Sequence, residues 1–173
     1  MIFHELYFYT ATILKWRPLL ESDRYKTLVI NSLKNLVDRK KIKVYGFVIM
    51  PNHIHLIWEL LDLNGREKPH ASFTKYTSHI IQKDLRNKDP NTLDSFKVDS
   101  GTRKYQFWQR DPLSIILYTP KVIHQKLDYI HHNPVKGKWM LAPSSIDYRF
   151  SSATFYEDGI DEFGILTHIT GRL

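Results

Sequence analysis

The chain has 173 residues, 42% of them hydrophobic and 13% aromatic, which supports one packed domain and excludes a disordered polar segment. A formal net charge of +7 points to a polyanionic partner, nucleic acid first, and the lack of cysteine excludes disulfide scaffolds and thiolate zinc sites. No apolar run reaches the roughly 18 residues of a membrane span, and "MIFHELYFYT" lacks the charged start and cleavage site of a signal peptide, so a cytoplasmic protein is expected.

Residues 3–14, "FHELYFYTATIL", are aromatic and β-branched and read as a strand that "KWRPLL" breaks. Ser22 or Asp23 can cap a helix over "RYKTLVINSLKNLVDRKK", where Tyr25, Leu28, Val29, Leu33, Leu36 and Val37 make one stripe. Residues 42–50 are apolar on both faces and predict a central strand. "MPN" turns the chain into a further strand over 53–61, and "DLNGREKPH" is a loop.

Ser72 is expected to cap a helix over 73–87 with Phe73, Tyr76, Ile80 and Leu85 inward. Residues 88–103 are polar and predict a mobile loop. "YQFWQRD" and "LSIILYT" read as short extended segments around Pro112, and a third helix starts at Pro120, a residue suited to the first turn. From 138 the chain reads as an irregular arm packed on the same domain as 1–137. The order β-α-β-β-α-β predicts an α+β fold, the ferredoxin-like or RRM-like antiparallel sheet with helices on one face, followed by a C-terminal helix and the arm.

Two short stretches carry chemistry. In "YGFVIMPNHIHLIWEL" the period of two puts His53 and His55 on one face with Ile57 and Glu59. Ile54, Leu56, Trp58 and Leu60 take the other face, which is assigned to the core. Two imidazoles on one strand face can approach a common metal ion, while the plain alternative is two partly exposed histidines. In "LDYIHHNP" the stripe Ile123, Leu127, Ile130 is buried, and Tyr129 and Asn133 stack four apart on one flank. Pro134 is expected to draw Asn133 out of helical conformation and end the helix. Joined, the stretches place a phenol beside a candidate metal with an amide oxygen as further ligand.

"GFVIMPNHIHLIWEL" resembles the His-bulky apolar-His motif of single-tyrosine HUH nucleases, and "YIHHNPVKGKW" resembles the segment that carries their nucleophile. "FWQRD" and "IDYRFSSATFY" resemble flanking segments of one branch, the REP-associated tyrosine transposases, and the likeness runs over residues 4–157. The resemblance implies an enzyme that cuts and rejoins single-stranded DNA beside a hairpin through a 5′-phosphotyrosine, with Mg²⁺ or Mn²⁺. It implies Tyr129 as nucleophile and His53 and His55 as metal ligands. The position of Asn133 supplies a polar ligand in relatives, often glutamine, and His132 competes for that role. Relatives of this size often form homodimers.

The alternative is a protein that binds hairpin or single-stranded nucleic acid without cutting it. A cupin reading of the His-x-His stretch fails for want of a second histidine block and of mostly β structure. Basic residues crowd 15–43, with Lys15, Arg17, Arg24, Lys26, Lys34, Arg39, Lys40, Lys41 and Lys43 against Glu21, Asp23 and Asp38. Arg17, Lys75, Arg103, Lys104 and Arg110 are the candidates for DNA contact.

Overall fold

The computed structural model describes residues 1–101 and 103–173. Strand β1 (Leu6–Thr12) leads through two 3₁₀ turns into helix α1 (Asp23–Asp38), and β2 (Ile42–Ile49) and β3 (His53–Leu60) form a hairpin. Helix α2 (Pro69–Lys88), the short α3 (Pro90–Asp94), a small ribbon of β4 (Lys97–Ser100) and β5 (Arg103–Tyr105), and β6 (Leu113–Ile116) follow. Helix α4 (Pro120–His132) and the short α5 (Ala153–Asp158) complete the chain. The main sheet is antiparallel with strand order β2-β3-β1-β6, the ferredoxin-like order. Among the described residues, no helix is long and apolar enough to cross a membrane.

The two sheet faces are covered differently. On one, Trp58 packs on Tyr9 and on Phe73 of α2, at ring-centroid distances of 4.9 and 6.3 Å. On the other, α4 lies over β2 and β3, with Ile123, Leu127 and Ile130 buried as their spacing requires. Consequently β3 is buried on both faces along its whole length, His53 and His55 included. The expectation of a non-core histidine face is corrected: α4 and the segment after it cover that face.

Strand β2 is not central. It is the edge of the ladder, and its apolar character has another cause. The arm closes that edge: Ile49 N–H donates to the Phe150 carbonyl, Ser152 N–H to Phe47, and Thr167 N–H to Val44. Covering an edge in this way satisfies its backbone and blocks further pairing.

Helix α2 begins earlier than Ser72. Pro69 occupies its first turn, and the Ser72 hydroxyl donates to the Pro69 carbonyl instead of capping. Its buried stripe is Phe73, Thr77, Ile81 and Leu85, whereas Tyr76 is exposed and Ile80 only half-buried. The stretch expected to be a mobile loop contains α3, capped by Asp89, and the β4–β5 ribbon; Thr102 lies outside the described residues.

The approach of α4 to the sheet depends on Gly46. A Cβ there would lie 2.8 Å from Leu127 Cδ1 and 2.9 Å from Ile130 Cδ1. Gly46→Ala is therefore expected to cost about 1–3 kcal/mol by overpacking. It also displaces the helix that carries Tyr129. Denaturant melts will show the lost stability, and lowered activity in the residual folded protein will show the displacement.

Candidate active site

The register of β1 against β3 sets the first part of the site. Thr10 stands opposite His55 and Thr12 opposite His53. The Thr10 hydroxyl lies 2.7 Å from His55 Nδ1. Phe8, two pairs further along on the same face, stacks on the His55 ring at 5.2 Å. The two imidazoles sit 4.7 Å apart, ring centre to ring centre.

The hydrogen bonds orient His53. Asn52 Nδ2 donates to the Trp16 carbonyl at 3.2 Å, so its Oδ1 is the atom 2.7 Å from His53 Nδ1. An amide oxygen only accepts, so His53 Nδ1 carries the proton and Nε2 keeps its lone pair. For His55, Nδ1 is engaged by Thr10 and Nε2 is buried with no partner among the described residues. A buried polar atom without a partner is costly. A divalent cation on Nε2 would satisfy it, with Thr10 holding the opposite nitrogen in the usual second-sphere manner.

Burial, then the charge of Lys138, pushes the His53 pKa down to about 4. Burial, then His53 and then Lys126, pushes His55 down to about 3. Both rings are neutral at neutral pH, the state a metal ligand needs. His131, on α4, is likewise pushed down to about 4, chiefly by burial, and its Nε2 lies 2.8 Å from Ser152 Oγ.

These three depressed values have a consequence for stability. The folded protein excludes protons that an unfolded histidine takes up below its ordinary value of about 6.5. Their contribution is therefore complete above pH 6.5 and lost as pH falls toward 4. The slope is at most about 1.4 kcal/mol per histidine per pH unit. Thermal melts of metal-free protein between pH 7 and pH 4.5 will show a steep fall in midpoint below pH 6.5.

Helix α4 brings the second part. Thr119 Oγ1 accepts from Val122 N–H to start it, with Pro120 in the first turn. Tyr129 projects from the flank of the buried stripe, half exposed at 50%. Its ring lies 5.3 Å from that of His55 and 6.0 Å from Phe8. Asn133 remains helical, at φ −54° and ψ −46°, and leads into a 3₁₀ turn, so Pro134 does not draw it out of helical conformation. Proline restrains the preceding residue without forbidding such a turn.

Tyr129, His132, Asn133, Lys136, Lys138 and Trp139 line one cavity of about 280 Å³. Trp139 connects it to the histidines, with its ring 6.0 Å from His53. His132 is exposed and its Nδ1 lies 2.8 Å from its own helix's Asp128 carbonyl, while Asn133 is half-buried. Among the described residues, no three His, Asp or Glu side chains gather as a metal cluster. Two imidazoles plus an amide oxygen or a ligand phosphate offer a mixed nitrogen and oxygen donor set that could hold a divalent ion.

The five candidate DNA contacts do not gather here. Arg17 is half-buried, bonds to the Ser95 carbonyl and lies over the Phe96 ring at 5.2 Å. Lys75 pairs with Glu67 at 2.7 Å, and Lys104 lies 5.6 Å over Tyr105. Lys75, Arg103 and Arg110 line a groove of about 540 Å³ with Tyr9, on the α2 side of the sheet and away from the histidine face. The cations beside the site are Lys126, 4.7 Å over the Phe8 ring and 5.7 Å over Tyr129, and Lys138, 5.1 Å over Trp139. Their proximity arises from the packing of α4 and the chain after it; Thr10 joins through strand register, and Asn52 from the turn before β3. For Asn52 the only sequence signal was its place next to His53.

No family model and no curated protein matches the chain. Among solved structures, a REP-associated tyrosine transposase bound to a REP hairpin is similar at a TM-score of 0.65 and 20% identity, over 98% of this chain and 89% of that one. The antiparallel sheet, its helices and the trailing arm together have the fold of a REP-associated tyrosine transposase.

Proposed function

We propose that the chain is a metal-dependent single-strand DNA transposase or endonuclease that cuts and rejoins DNA beside hairpins through a 5′-phosphotyrosine on Tyr129. The observation that carries this reading is a half-exposed tyrosine packed against one member, His55, of a pair of buried, neutral histidines. A binding protein has no use for that arrangement. The hairpin in the similar transposase structure agrees with it.

Tyr129 Oη attacks the phosphorus of the scissile phosphodiester and loses its proton. The new oxygen–phosphorus bond replaces the bond to the 3′ oxygen, which leaves as a free hydroxyl after taking up a proton. One phosphodiester is exchanged for another, so joining by a 3′ hydroxyl is the same step reversed and needs no nucleotide cofactor. A free tyrosine ionises near pH 10, so the phenol needs an activated phosphate to attack at neutral pH. Mg²⁺ or Mn²⁺ on His53 and His55, with Asn133 or His132 as the further protein ligand, would supply that activation by polarising the phosphate. Thr10 and Asn52 hold the imidazoles in place, and Phe8 fixes the planes against which His55 and Tyr129 pack.

The test is incubation with labelled hairpin DNA and Mn²⁺, followed by denaturing electrophoresis. A protein–DNA band that survives denaturation is expected. The second reading, a hairpin or single-strand binder that does not cut, is favoured by the groove of Lys75, Arg103 and Arg110. It predicts binding with no such band.

A further inference from the structure

Trp16 and Trp139 take no part in the chemistry above, yet both indoles stand beside His53. Trp16 lies 6.1 Å from its ring and Trp139 6.0 Å. They come from distant parts of the chain, one from the turn after β1 and the other from the segment after α4.

Trp16 is 58% exposed, so burial explains little of its position. Its backbone is unusual: Lys15 at φ 57° and Trp16 at φ 56° are both in the left-handed region. Bulky residues rarely go there, and such strain persists only where surrounding bonds impose it. Here Ile13 N–H donates to the Asn52 carbonyl, Leu14 N–H to Phe107, and Asn52 Nδ2 to the Trp16 carbonyl. Asn52 is also the side chain that orients His53. One amide thus holds an exposed indole and a candidate metal ligand together.

Trp139 lines the cavity of Tyr129 and Asn133, with Lys138 against its face. Lys126 lies against Phe8 and Tyr129. Aromatic faces interleaved with ammonium groups suit single-stranded nucleic acid: bases stack on the rings and phosphates meet the charges. Paired duplex bases keep their faces stacked on each other and cannot use such a site.

We propose that Trp16 and Trp139 are positioning residues that stack unpaired bases of single-stranded DNA next to the phosphate at Tyr129. The location rests on the cleavage reading; the stacking is a separate property with its own readout. Trp58 and Trp108, the other two tryptophans, are buried, but Trp108 lines the groove of Lys75, Arg103 and Arg110, so the part of the quenching that reports on Trp16 and Trp139 is the part lost when both are replaced.

The probe is a thymidine oligonucleotide, with Tyr129→Phe as the background so that binding is read without cutting. Strong quenching on binding is expected, weaker in Trp16→Phe and Trp139→Phe, and largely lost in the double variant. Each alanine variant is expected to lose about tenfold in affinity, and each phenylalanine variant to keep most of it. Binding without quenching, quenching undiminished in the double variant, or alanine variants that bind as tightly as the parent would overturn the proposal. Each of those results leaves the Tyr129 adduct, measured in the unmutated chain, untouched. If the adduct fails while quenching holds, the stacking site stands on a protein that binds without cutting. No binding at all overturns both.

Discussion

Tyr129→Phe will abolish the covalent protein–DNA band while leaving fold and DNA affinity nearly unchanged. The substitution removes one oxygen and keeps the ring that packs on His55 and Phe8. Because that side chain is half exposed, the change in stability should stay within about 0.5 kcal/mol. The chain has ten tyrosines, but burial divides them. Tyr9, Tyr45 and Tyr148 are buried, and burial raises all three hydroxyls well above their ordinary value. Tyr45 is also spent on Glu59, and Tyr148 on the Ile49 carbonyl. Tyr118 is more exposed than Tyr129, at 78%, but among the described residues it makes no ring contact with the histidines. Peptide mapping of the trapped adduct should therefore place the DNA on Tyr129. DNA on Tyr118 would move the nucleophile to that residue, and cutting by Tyr129→Phe with no covalent adduct would point to a metal-hydroxide nuclease.

The sequence carried the parts of this arrangement that depend on local period. Alternation put His53 and His55 on one face, and helical spacing put Tyr129 beside the buried stripe of α4. It did not carry what depends on which strand lies beside which. Ile42–Ile49 reads as central because it is apolar on both faces, and that pattern is equally the signature of an edge strand covered by an arm. Likewise Thr10 is an ordinary strand residue until the register sets it opposite His55. The error at Ser72 is of another kind. Serine is a good cap and Pro69 a good first-turn residue, and the two signals compete within four positions; the proline won. The basic residues show the same limit. Charge suggested a polyanion, but Arg17 is occupied by Ser95 and Phe96, while Lys126 and Lys138 reach the site only through the path of α4 and the chain beyond it.

His53→Ala and His55→Ala will each remove metal-dependent cleavage, and the structure changes what else to expect of them. Both side chains are buried, so neither substitution is silent for folding. His55→Ala deletes a ring that stacks on Phe8 and meets Tyr129 edge-on, and leaves the Thr10 hydroxyl without its partner. A loss of about 1–3 kcal/mol follows from the cavity and the broken bond. Lost activity alone would then not distinguish a missing ligand from a loosened core. Metal-linked stability does. An ion that binds only the folded chain raises its stability, by about 2.7 kcal/mol at a hundredfold excess over its dissociation constant. Mn²⁺ should therefore raise the melting temperature of the unmutated protein and that of Tyr129→Phe. It should have little effect on either histidine variant, and EDTA should reverse the shift. Asn133→Ala should keep part of the shift at higher Mn²⁺, because the two imidazoles remain. A melting temperature indifferent to Mn²⁺ in the unmutated chain, together with cutting that survives excess EDTA, would remove the metal from the mechanism and leave the orphaned Nε2 of His55 to be explained by a bound water.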